Sequence, residues 1–172
     1  MTNERDLTLL TGEMHRRVGA AVKAARLAGV DILVYCAARG PWAQARLYRR
    51  SRSTAVVHAR AAKMRNAGAP WLAGVLLEVG PQATGPWATN APPGLSWHQW
   101  GEAVDAAPVI DGRIPWTDPD AFVPWRKAAQ LMGLHAPIPH DWPHVQLRPE
   151  GSPLSAGMTW AEIDVAMQER WG

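Results

Sequence analysis

Segments with helical spacing alternate along this chain with short β-prone runs, and glycine or proline punctuates most of them, which restricts the fold to mixed α+β before any side-chain chemistry is considered. From Thr11 to Leu27 the apolar side chains Met14, Val18, Val22 and Ala25 recur at helical spacing, with Gly29 placed for a left-handed cap. Ile32 to Cys36 reads as a buried strand that delivers Arg39 to its far end. Pro41 suits the first turn of a helix reaching about Arg50, and Ser53 or Thr54 caps another that ends at Asn66 before Gly68. Residues 70 to 95 are rich in Pro, Gly, Thr and Trp without a clear period, so a long irregular loop is expected there. Asp111-Gly112 predicts a two-residue hairpin turn between Ala103–Ile110 and Arg113–Ile114, which places Asp105 on a strand. Asp118-Pro119 begins a helical segment with Phe122, Trp125, Ala129 and Met132 on one face, regular only from Pro124 and stopped by Gly133; a strand follows at His144 to Leu147. Thr159 and Glu162 form a capping-box pattern for a last helix with Ile163, Met167 and Trp171 on its apolar face. The expectation is one α+β domain over residues 1–172, an antiparallel sheet with flanking helices.

Composition narrows the function classes. A chain of 172 residues with 47% hydrophobic content can bury one core. No apolar run approaches the roughly 18 residues that span a bilayer, so no membrane insertion is expected. The mixed charges of Met1-Thr-Asn-Glu-Arg-Asp lack the layout of a secretory signal, and synthesis in the cytoplasm is the corresponding expectation. The single cysteine, Cys36, excludes an internal disulfide and any multi-cysteine zinc site; in its apolar run it reads as core. A net charge of +3 favours anionic polymers in general, but the basic residues are spread over several helices, so nucleic acid is not expected as a partner. The ten tryptophans suit either a core or a groove for sugar or peptide, the core being the simpler reading for most. A monomer is expected.

Two segments concentrate metal-binding side chains: Ser96-Trp-His98-Gln-Trp-Gly101-Glu-Ala-Val-Asp105 and His140-Asp141-Trp-Pro-His144-Val-Gln-Leu. Catalytic zinc takes three protein ligands from His and carboxylate and leaves a position for water, which two His and one Asp satisfy. His98 and Asp105 are seven apart, an odd offset that needs a bend in the chain, and Gly101 supplies one. The competing reading of these residues is two half-buried histidines bonded to backbone and an aspartate in a salt bridge. His135 and His140 are rival ligands near the second segment, whereas His15 and His58 fall on solvent-facing helix positions.

Ser96-x-His98-x-x-Gly101-x-Ala103-Val104-Asp105, followed by Asp141-x-x-His144-x-Gln146, resembles the zinc peptidase family of D-alanyl-D-alanine carboxypeptidases and L-alanyl-D-glutamate endopeptidases, which includes phage endolysins. Arg39 and Gln44-x-x-Leu47-Tyr48 extend the resemblance over about residues 30 to 148. It implies a hedgehog/DD-peptidase-like fold with one zinc ion held by His98, Asp105 and His144. Asp141 is implied as the catalytic carboxylate; its other reading is a partner that orients His144. Arg39 is implied near the substrate, as a fork of donors for a carboxylate or a developing oxyanion, and Gln44 beside it. Ser96 could bond substrate or steady its loop. The implied substrate is a peptidoglycan stem peptide, cut by an L-alanyl-D-glutamate endopeptidase of the endolysin type acting on the wall after release. The alternatives are a D-alanyl-D-alanine carboxypeptidase or a non-catalytic wall-binding phage protein. The sequence departs from the family in Cys36-Ala-Ala before Arg39, a short stretch from Gly133 to Asp141, and Val145 after His144.

Overall fold

The computed structural model describes residues 4–79 and 84–172. Among these described residues six α-helices and three strands follow one another as α1 (Gly12–Leu27), β1 (Asp31–Cys36), α2 (Pro41–Arg49), α3 (Thr54–Asn66), α4 (Pro70–Glu78), β2 (Ala103–Val109), α5 (Val123–Leu131), β3 (His144–Gln146) and α6 (Trp160–Trp171). The strands form one antiparallel sheet in the order β1-β2-β3. The fold is α+β, as expected. Its residues divide into two compact units interleaved along the chain, one built from Met1–Ala38 and Trp100–Gly151, the other from Arg39–Gln99 and Ser152–Gly172.

The first unit contains the sheet, α1 and α5. Alternation along the strands sends Ile32, Val104, Ala106 and Val145 to one face, where they join Met14, Val18, Ala21 and Ala25 of α1 and Trp125, Ala128 and Ala129 of α5 in a buried apolar cluster. Thr11 caps α1 by accepting from the Met14 N–H, a contact of about 1 kcal/mol. Trp125 is fully buried and its indole N–H donates to the Pro143 carbonyl at 3.1 Å, tying α5 to the chain that enters β3. Asp111 and Gly112 both have positive φ, as a type I′ turn requires, and Ile110 and Arg113 exchange two backbone hydrogen bonds of 2.9 Å across it. The expected partner strand does not continue past that bridge. Instead β2 pairs along its length with β1 and at its start with β3.

The second unit holds α2, α3, α4 and α6. Helix α4 corrects the expectation of an irregular loop over residues 70–95; positions 80–83 of that stretch lie outside the described residues. Leu72, Ala73, Val75 and Leu76 are all buried, so this short helix carries apolar residues on most of its circumference and has no amphipathic period to detect. Its amino terminus is satisfied from far away, because the carboxylate of Asp164 on α6 accepts from the backbone N–H groups of Trp71 at 3.1 Å and Leu72 at 2.7 Å. The remainder of the stretch is irregular as expected, and Arg52 holds it. The Arg52 guanidinium lies between the rings of Tyr48 and Trp87, 3.8 Å and 3.6 Å from their centroids, and donates to the Thr89 carbonyl at 2.8 Å. Burial lowers its pKa from the ordinary arginine value. Among the described residues no helix is long and apolar enough to cross a membrane.

Candidate active site

The sheet face turned away from the apolar cluster carries the chemistry. Asp105 of β2 stands opposite Cys36 on one neighbouring strand and opposite His144 on the other, so the three side chains form a row across the sheet on one face. Cys36 reaches that face because β1 carries a bulge between Val34 and Cys36: Val34 pairs with Ala106 and Cys36 with Asp105, so Tyr35 is an extra residue on its strand. A bulge of this kind turns a side chain that plain alternation would send into the core.

Within this row Nδ1 of His144 lies 3.1 Å from Oδ1 of Asp105, and its Nε2 lies 2.9 Å from Oε1 of Gln146. The orientation of the Gln146 amide follows from its other partners. Its Nε2 donates to the carbonyls of Arg148 at 2.6 Å and Glu150 at 2.8 Å, which uses both amide protons and leaves Oε1 facing the imidazole. His144 must therefore carry a proton on Nε2. In the neutral ring Nδ1 then presents a lone pair to a carboxylate oxygen, and the contact calls for a proton or a cation between the two atoms. A second proton or a metal ion meets that need. Two zinc donors at about 2.0–2.1 Å and a tetrahedral angle stand about 3.3 Å apart, close to the separation of this pair. Gln146 would then fix the tautomer of a metal-binding histidine from behind. An imidazole nitrogen and a carboxylate oxygen are both donors that zinc accepts.

Asp141 enters the same region through the backbone. Its N–H donates to the Ile138 carbonyl at 3.2 Å, and its own carbonyl accepts from the His144 N–H at 3.3 Å, so Asp141-Trp-Pro-His144 is a tight turn that leads into β3. The rival histidines stand elsewhere: His140 is exposed, and the exposed His135 pairs by backbone with Gln146. His15 and His58 are exposed on α1 and α3, as expected.

The second unit brings the remaining sequence-derived residues together. His98 is buried, 3% exposed, on the 3-10 turn Trp97–Trp100, and its carbonyl accepts from the Arg39 N–H at 3.2 Å. Ser96 precedes the turn, and its carbonyl accepts from the Gln99 N–H at 3.0 Å. Gly101, at φ +70°, makes the bend that the seven-residue offset between His98 and Asp105 required. The Arg39 guanidinium donates through Nη1 to Oε1 of the buried Gln44 at 3.0 Å, and the Gln44 amide donates in turn to the Ala91 carbonyl at 2.8 Å. Gln44 thus links Arg39 to the irregular loop and fixes its fork of donors. Of the tryptophans, only Trp97 and Trp125 are buried among the described residues, so the core takes fewer of the ten than the sequence suggested.

The bond from Gln146 to His144 and the position of Cys36 were not foreseen. The spacing His144-x-Gln146 was a signal for the first, since residues two apart on a strand share a face. Only the bulge reveals the second.

The fold and this site define an α+β protein with a carboxylate–imidazole pair on one face of its sheet. Comparison with known proteins adds a structural likeness. No protein-family profile matches the chain, and no curated protein matches it. Among solved structures it is similar to the D,D-pentapeptidase VanY of a VanB-type vancomycin resistance cassette, an alanine-substituted mutant in complex with Zn(II), at 15% identity over 90% of this chain and 83% of that one, with a TM-score of 0.43.

Proposed function

We propose that this chain is a zinc-dependent peptidase of peptidoglycan stem peptides, with His98, Asp105 and His144 as the metal ligands and Asp141 as the general base. The observation that carries the reading is the contact between His144 Nδ1 and Asp105 Oδ1, with the fixed amide of Gln146 behind the imidazole. The sequence motif contributes His98, whose backbone bond to Arg39 supports a structured ligand position.

A bound zinc ion supplies Lewis-acid polarisation of the scissile carbonyl and makes water a stronger acid at neutral pH. The protein's own groups do the rest. Asp141 accepts the proton of the attacking water and returns it to the amine that departs when the peptide C–N bond breaks. Arg39, held by Gln44, offers its fork to a substrate carboxylate, and Ser96 a hydroxyl to the peptide backbone. The finer reading is an L-alanyl-D-glutamate endopeptidase of the endolysin type, made in the cytoplasm and acting on the wall after release. Asp rather than Glu at position 141 supports this branch.

Digestion of purified peptidoglycan, with and without a chelator and read by mass spectrometry, tests both levels. New amines only in the absence of chelator support the peptidase. A released tail beginning with D-glutamate identifies the endopeptidase, and loss of a single alanine identifies a carboxypeptidase instead. Binding to the wall with no cleavage in zinc overturns the enzymatic reading.

A further inference from the structure

We propose that a basic cleft between α2 and α3 holds a phosphate group of a phosphodiester-linked polyol polymer of the cell wall. The cleft stands on its own geometry, and the choice of a wall polymer rests on the peptidase reading above. Tyr48, Val56, Ala59, Arg60 and Lys63 line a space of about 210 Å³. Tyr48 is only 3% exposed, and its hydroxyl accepts from Nε of Arg60 at 3.2 Å. The proton of that hydroxyl, the Nη groups of Arg60 and the ammonium of Lys63 meet no acceptor among the described residues. Each polar side chain of the cleft therefore presents a donor, and a ligand with several acceptor oxygens completes it.

Charge points the same way. No Asp or Glu occurs from Arg39 to Leu77, and among the described residues neither Arg60 nor Lys63 forms an ion pair. In the first unit, by contrast, Arg17, Arg26 and Arg148 meet carboxylates at 2.6, 3.0 and 2.7 Å. The buried Arg52 lies over the same Tyr48 ring, 3.8 Å from its centroid. Burial and, to a lesser degree, the like charge of Arg60 lower the Arg52 pKa, so the two cations repel each other. Three cations thus stand around one phenol with no anion among them, and a bound anion relieves their repulsion. The volume is below the roughly 300–1,000 Å³ of a small-molecule site, which suits one group of a longer chain. Val56 and Ala59 offer apolar wall to the carbons beside a phosphodiester, while the Arg60 fork and Lys63 take its free oxygens. Nucleic acid fits less well, because the Tyr48 ring is buried under Arg52 and gives bases no platform to stack on.

The probe is a synthetic poly(glycerol phosphate) oligomer, titrated into the full chain by calorimetry. Arg60→Gln and Lys63→Gln are each expected to weaken binding at least about tenfold, the scale of a lost charge-assisted hydrogen bond, with an unchanged circular dichroism spectrum. Arg113→Gln, at the exposed hairpin turn of the first unit, makes the same change in net charge and should leave the affinity unchanged. Equal weakening by all three variants overturns the cleft, since net charge alone then governs binding. A wild type that binds no oligomer overturns it as well. Inorganic phosphate should compete with the oligomer, and a lack of competition overturns phosphate as the group recognised. Tighter binding of random-sequence duplex DNA at the same salt concentration overturns the wall polymer as the occupant. The titration involves neither zinc nor hydrolysis, so its failure tells against the cleft, whereas a failed peptidoglycan digestion tells against the peptidase reading.

Discussion

The Gln146 side chain holds its carbonyl oxygen 2.9 Å from Nε2 of His144 because both of its amide protons are committed to the Arg148 and Glu150 carbonyls. A single amide thereby decides which ring nitrogen of His144 faces Asp105. Replacement by leucine removes that control without removing a ligand. Gln146→Leu is expected to weaken zinc binding by about 10–100-fold, read by competition with a chromophoric chelator. Unchanged affinity would show that the tautomer is set by something else.

Asp141 separates chemistry from metal binding. Asp141→Asn should retain zinc and the circular dichroism spectrum of the fold while turnover falls by about 10²–10⁴. If instead it loses metal in proportion to activity, the residue orients His144 and another group handles the proton.

The three ligand positions make the complementary case. His98→Ala, Asp105→Ala and His144→Ala are each expected to lose bound zinc and hydrolysis together. Elemental analysis showing a full complement of zinc in all three variants would end the proposal.

Asp164 satisfies two buried helix N–H groups at once. Asp164→Ala should cost about 1–3 kcal/mol in denaturant unfolding, since Trp71 and Leu72 lose their acceptor in a place water reaches poorly. Asp164→Asn keeps one oxygen and should cost less. Equal stability of all three proteins would mean that α4 is capped by other means.

Glu162 ties α6 to acid stability. Backbone and side-chain hydrogen bonds from Thr159 lower its pKa below the ordinary glutamate value. The sign follows: a depressed folded-state pKa gives stability that is fully present above the unfolded-state pKa and is lost as pH falls through the folded one. The thermal midpoint of the wild type should exceed that of Glu162→Gln at neutral pH, and the gap should close below about pH 4. A gap that is independent of pH would assign the difference to packing.

Much of this was legible in the sequence, for physical reasons specific to each element. Helix α1 announced itself because it is one-sided, with Met14, Val18, Ala21 and Ala25 buried and its cap one residue ahead. The Asp111-Gly112 turn was legible because few other dipeptides accept two consecutive positive φ values. His144, Asp141 and Asp105 stood out through residue type and spacing. Helix α4 escaped because a short helix buried on most sides has no stripe, and its cap comes from a residue 92 positions away. Cys36, read as core from its apolar run, is buried as expected, but the bulge sets it on the sheet face away from the apolar cluster, and nothing in Val34-Tyr35-Cys36 signals a bulge. The couplings of Gln44 to Arg39 and of Gln146 to His144 depend on which amide face is occupied, a fact of tertiary contact.

The dependence of α4 on Asp164 also sets an order of events during synthesis. Asp164, the acid that completes the start of α4, is added 92 positions after Leu72. Until the last helix has emerged, those two N–H groups are without the acceptor that the finished fold gives them.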